Sequence, residues 1–170
     1  MATKPRRKTA QTALALPSAQ AMQAWLSVGE AYNLWDAVMT RRLAGLGLRV
    51  AEHEVLVNLL RAPGITQQAL AQRCFVAKSG ASMMLTRLEM QRLVERQADS
   101  VDARVRRLFL TPEGRALADK AQAVQMDVVS ALVKGSSPGD LKFITAAMQR
   151  ASALLANMLG AAAPRDKADA

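Results

Sequence analysis

The sequence predicts a mainly α-helical fold with one small β-hairpin, on three observations. Apolar residues recur every three or four positions over most of the chain. A single stretch, around residues 93–110, switches to the alternation of a strand. Ala and Leu are abundant while aromatic residues make up only 4% of the chain, a balance that favours helix. At 170 residues and 51% hydrophobic, the chain is long enough for one domain with a real core and too apolar for an intrinsically disordered one.

Each element can be justified in order. Met22, Trp25, Val28, Tyr32, Trp35, Met39, Leu43 and Leu46 form one long helical stripe, and Gly45 and Gly47 mark its end. Such a helix spans about 40 Å at a rise of about 1.5 Å per residue, which suggests packing against a partner. A second helix over 51–61 turns Val55, Leu56, Leu59 and Leu60 inward and is closed by Pro63 and Gly64. Thr66 is a good N-cap for a third helix reaching about residue 74, with Ile65 and Leu70 placed to staple across the cap. A fourth helix over 78–91 carries Ala81, Met84, Leu85 and Leu88 as its buried stripe.

Leu93-Val94-Glu95-Arg96 reads as a short strand, 97–103 as a polar loop and 105–110 as the returning strand. Leu108 and Leu110 share one face of that strand, Arg107 and Phe109 the other. Thr111 and Pro112 start a helix running to about residue 134. Gly135-Ser136-Ser137-Pro138-Gly139 breaks it, and a last helix holds Leu141, Ile144, Met148, Ala151, Leu155 and Met158. Residues 1–17 read as a disordered basic arm and 161–170 as a flexible tail.

Composition excludes several function classes. The single cysteine, Cys74, allows no internal disulfide and fits a reducing cytoplasm. With His53 as the single histidine, a zinc site of Cys and His is not expected, nor is any other metal or cofactor. No stretch approaches the roughly 18 apolar residues of a membrane span, and the N-terminus lacks the pattern of a secretory signal. There is no phosphate-binding glycine loop and no nucleophile–base set, so an enzyme is not expected. The charge points elsewhere: 23 Lys and Arg against 14 acids give +9, the balance of a polyanion binder.

Three consecutive helices followed by a hairpin make a helix-turn-helix with a β-wing. A helix about 10–12 Å across fits the major groove of double-stranded DNA, where each base pair presents a distinguishable pattern. The fourth helix offers Lys78, Ser79, Ser82, Met83, Thr86 and Arg87 away from its apolar stripe, and Gly80 lets its backbone approach DNA closely. Hydroxyls bond phosphates or bases, and Arg87 can bond either a phosphate or a guanine edge. The alternative for the group is an ordinary solvated face. The wing carries Arg96, Arg104, Arg106 and Arg107, of which Arg106 is the expected strand contact. The flanking helices bear more apolar stripe than one small winged domain covers, which suggests two interlocked chains; a self-contained monomeric bundle is the alternative.

Leu70-Ala71, Leu88-Glu89, Leu93-Val94-Glu95-Arg96, Asp102-Ala103-Arg104 and Leu108-Phe109-Leu110-Thr111-Pro112-Glu113-Gly114 resemble, at their spacing, the MarR family of bacterial regulators. The resemblance spans about residues 48–118. It implies one domain over 18–160, with a winged helix-turn-helix at 48–111 and dimerisation helices at 18–46 and 112–160. It also implies a homodimeric repressor on a pseudo-palindromic operator. By the same resemblance Arg104 enters the minor groove, Asp102 holds its fork and Arg96 braces the wing. Family members commonly bind small aromatic or anionic effectors between the dimer helices and the winged domain. Trp25, Tyr32, Trp35 and His53 are the candidates for such a cavity, against a plain reading of the same residues as core. Three positions depart from the family pattern: Arg49 and Ala77 replace capping residues, and Arg92 replaces a glycine after the recognition helix. The rival reading is a winged helix that binds protein and lacks specific DNA binding; Asp102, Arg104 and the basic excess argue against it.

Overall fold

The computed structural model describes residues 17–102 and 105–162. In chain order these form α1 (Ala19–Ala44), α2 (Val50–Arg61), β1 (Ile65–Thr66), α3 (Gln67–Arg73), α4 (Lys78–Met90), β2 (Val94–Ala98), β3 (Arg106–Leu110), α5 (Pro112–Leu132) and α6 (Pro138–Ala162). The expected arm, apart from Pro17, lies outside the described residues, as do Arg104 and positions 163–170 of the expected tail.

Local chemistry sets most boundaries. Ser18 accepts the Ala21 N–H at 3.1 Å to start α1, and the left-handed Gly47 (φ 69°) lies just beyond its end. Thr66 accepts the Ala69 N–H at 3.2 Å to start α3. Thr111 accepts the Gly114 N–H at 3.0 Å, with Pro112 in the first turn of α5. Ser137 and Asp140 exchange bonds across the first turn of α6, the Ser137 N–H donating at 2.9 Å and the Asp140 N–H at 3.2 Å.

The core gathers the apolar stripe of every element up to α5. Leu56 and Leu59 of α2, Leu70 of α3, Leu85 and Leu88 of α4 and Leu108 of β3 meet Met39 and Leu43 from the last turns of α1, with Ala118 and Ala121 of α5 closing one side. Gly114 sits directly on the backbone of Leu93, where an added Cβ would fall 1.8 Å from the Leu93 carbonyl oxygen. That contact fixes the first turn of α5 on the root of the wing.

Several expectations need correction. The hairpin is there, but it is part of a three-stranded antiparallel sheet in the order β1-β3-β2. The added strand pairs Ile65 with Leu108 and Thr66 with Arg107. β2 starts at Val94 and continues to Ala98, so Gln97 and Ala98 belong to the strand and pair with Arg107 and Arg106. β3 starts at Arg106, leaving Val105 in the turn. The last helix continues to Ala162. The N-terminal half of the α1 stripe is not core within one chain: Met22, Trp25 and Tyr32 are exposed. Among residues 138–160, for which burial is described, α6 buries none, and Leu154, Leu155, Met158 and Leu159 stand open.

Candidate nucleic-acid interface

α4 is held by Ala81, Leu85 and Leu88, all buried, which turns its opposite side outward. Lys78, Ser79, Met83 and Thr86 are exposed there, and Ser82 and Arg87 are half-buried at the edges. Ala77 gives the helix no side-chain cap, so the first-turn N–H groups are left for an outside acceptor beside the Lys78 ammonium. Gly80 has no protein atom within 4 Å of where a Cβ would stand, so nothing inside the chain demands a glycine there. The Thr86 hydroxyl donates to the Ser82 carbonyl at 3.0 Å, leaving its lone pairs, and not its proton, for a partner.

Arg87 is not the free cation the sequence suggests. Its Nε lies 2.9 Å from Oε1 of Glu52, a carboxylate buried at the start of α2. Glu52 was not singled out as an interface residue because its partner lies on another helix. The legible signal was its place three residues after Arg49, where a capping glutamate belongs: Oε2 accepts the Arg49 N–H at 3.0 Å.

The wing is tied down at two points. Arg96 of β2 lies 3.1 Å from Oε1 of Glu89 near the end of α4, joining strand to recognition helix. Arg107 of β3 donates to Oδ2 of Asp99 and, at 3.1 Å, to the Gly64 carbonyl. Asp99 also accepts the N–H groups of Val101 at 2.9 Å and Asp102 at 3.1 Å. The Val101 backbone bond first, then Arg107 and Asp102, pull the Asp99 carboxyl down to about 2. Arg106 stays exposed on β3, and Asp102 sits in the turn, its carbonyl accepting the Val105 N–H at 2.9 Å. Arg92 has φ 57°, the left-handed conformation that glycine would adopt without strain.

Of the four residues proposed for an effector cavity, the structure brings two together. Tyr32 and His53 line a cavity of about 450 Å³ with Asn58, Arg61, Arg73 and Gln125 among its other walls. Trp25 lines a separate shallow groove on α1, and Trp35, stacked on Tyr32 at 6.2 Å, packs against the core. His53 is 1% exposed, and burial first, then the charge of Arg61, hold its pKa below 6.5 against a raising influence of the nearby Gln125 amide. Its Nδ1 and the Gln125 Oε1 are buried without a hydrogen-bond partner. Cys74, also on the wall, has its thiol pushed up to about 11, chiefly by burial, which keeps it protonated and unreactive at neutral pH. Among the described residues no group of His, Cys, Asp and Glu is arranged to hold a metal ion, and no helix is long and apolar enough to cross a membrane.

Comparison with known proteins identifies the family. A model of the MarR family matches residues 46–105. An HTH-type transcriptional repressor of Mycobacterium bovis is 31% identical over 118 residues, covering 69% of this chain and 79% of the relative. An HTH-type transcriptional regulator of Bacillus subtilis is 26% identical over 88 residues, and that alignment spans 59% of its length. Among solved structures, AbsC, a MarR family transcriptional regulator from Streptomyces coelicolor, superposes with a TM-score of 0.78 at 25% identity, over 84% of this chain and 99% of AbsC. A mutant MarR from E. coli complexed with operator DNA shares the fold, with a TM-score of 0.68 at 22% identity over 78% and 95% of the two chains. The chain belongs to the MarR family of transcriptional regulators.

Proposed function

We propose that this regulator is a homodimeric repressor that binds a pseudo-palindromic operator through α4 and the wing. One observation carries the reading: α4 is locked into the core by its apolar side while Lys78, Ser79, Ser82, Met83 and Thr86 line a side left uncovered, beside a β-wing anchored by Arg96. Lys78 and the uncapped first turn suit a phosphate. Met83, 73% exposed, suits the methyl group of a thymine. Arg104 is assigned to the minor groove and Asp102 to its support, with Arg106 on the adjoining strand. α1, α5 and α6 serve as the dimerisation helices, and the protein acts in the cytoplasm, where its operator lies.

The cavity beside α2 is the proposed effector site. Arg61 and Arg73 supply positive charge against the one carboxyl of Glu54, whose pKa burial and Asp36 raise, while Tyr32 supplies a ring and His53 and Gln125 unpaired polar atoms, a set suited to a small planar anion. Because Arg73 and Cys74 end α3 one short turn before α4, a ligand there bears on the recognition helix.

The test is binding to the DNA upstream of the protein's own coding region, titrated at several salt concentrations with excess competitor DNA. The expected result is a competitor-resistant complex of two chains per site, with affinity falling steeply with salt. Arg104→Ala should weaken it by about 1–3 kcal/mol without loss of fold. Binding that competitor abolishes, at that fragment and across a genomic library, would favour a protein partner instead.

A further inference from the structure

Glu52 is 3% exposed, and both of its oxygens are engaged. Oε2 closes the first turn of α2 on the Arg49 N–H, and Oε1 meets Arg87 Nε at 2.9 Å. Closing that turn does not require a charge, because glutamine fills the same role in a capping box. Burying a carboxylate is costly unless a cation answers it. The charge of Glu52 therefore has its reason at Arg87, on the outward-facing recognition helix. The Arg87 side chain is 40% exposed, and no other bond from a described residue reaches its guanidinium. Arg87 lies in the last turn of α4, away from the N-terminal residues by which a recognition helix meets base edges, and, held through Nε, it keeps its terminal nitrogens for an acceptor outside the chain. Arg49 lines the same groove of about 390 Å³, together with Met83 and Met84.

We propose that Glu52 is a positioning residue for the DNA interface: it fixes Arg87 as a clamp on a backbone phosphate, in place of a reader of base edges. This rests on the DNA-binding reading above. A pre-set fork loses less rotamer freedom on binding than a free arginine, so the buried acid strengthens the grip on an anion although it subtracts a charge.

The experiment compares wild type, Glu52→Gln, Arg87→Ala and the double variant on the upstream fragment and on unrelated DNA of equal length. Affinity and its salt dependence are read, with thermal melts to confirm folding. Each single change should lower affinity roughly tenfold on both DNAs and reduce the salt slope by about one. The double variant should bind no more weakly than Arg87→Ala. Where Glu52→Gln fails to fold, Arg87→Lys replaces it: this keeps a cation and the cap but removes the Nε–H that Glu52 holds, and the same loss is expected. A Glu52→Gln protein with wild-type affinity and slope overturns the proposal, as do losses that multiply in the double variant. If Arg87→Ala weakens the upstream fragment alone, Arg87 reads a base; the clamp is then wrong while the DNA-binding reading stands. A wild type that binds neither DNA removes both.

Discussion

At the scale of single residues, the polar groups of the interior divide between two tasks. Glu52 is answered on both oxygens, whereas His53 is buried with Nδ1 unpaired. The second case has a thermodynamic consequence. Burial lowers the His53 pKa in the folded chain, so below about pH 6.5 the unfolded chain takes up a proton that the folded chain refuses. Stability is therefore complete above 6.5 and declines as pH falls towards the lowered folded value. Thermal melts at about pH 7.5 and about pH 5.5 should show a lower midpoint in acid, and His53→Gln should shrink that difference. An undiminished difference would assign the pH dependence to other groups. Cys74 shifts the other way: burial raises its pKa and keeps the thiol protonated at neutral pH.

At the scale of elements, the junction between wing and α5 is a close fit of backbone on backbone. Thr111 caps α5, its hydroxyl donates to the Arg92 carbonyl at 2.7 Å, and its N–H donates to the Leu93 carbonyl at 3.1 Å. Gly114 lies against that same carbonyl. The Leu-Thr-Pro-Glu-Gly run noted in the sequence is thus a docking surface, and its glycine is required by contact with another backbone, not by backbone conformation. Gly114→Ala should cost about 3 kcal/mol in chemical denaturation, since a methyl overlapping a backbone carbonyl cannot be relieved by a rotamer change. A change within about 0.5 kcal/mol would show that α5 can shift without penalty. Elements with local signals were legible: Thr66 and Thr111 cap helices where the sequence placed them. β1 was not, because two residues form a strand only by pairing with β3, and nothing in Ile65-Thr66 announces that partner.

At the scale of the whole molecule, one chain leaves a large apolar surface uncovered. Trp25, Leu26 and Tyr32 on α1 and Phe143, Leu154, Leu155, Met158 and Leu159 on α6 are all exposed, more than a stable monomer ordinarily shows. A second copy is the occupant proposed above. Leu155 and Leu159 are 48% and 76% exposed, so replacing both by Asp removes little from the fold of one chain. The double change should turn a dimer into a folded monomer in sedimentation equilibrium, with loss of operator binding. A wild type already monomeric at micromolar concentration would overturn the dimer.

The sequence by itself determined the order of the helices, the caps at Thr66 and Thr111, the hairpin and the outward side of α4, because each rests on periodicity or on chemistry within a few residues. It also carried the family motifs. Tertiary structure alone decided what those faces meet. Arg87 is legible as a cation but becomes a held one only because α2 brings Glu52 beneath α4. Tyr32 and His53 join in one cavity while Trp25 does not, because the packing of α1 on α2 and α5 involves only part of the α1 stripe. A stripe encodes which side of a helix avoids water; what covers that side depends on elements distant in the chain.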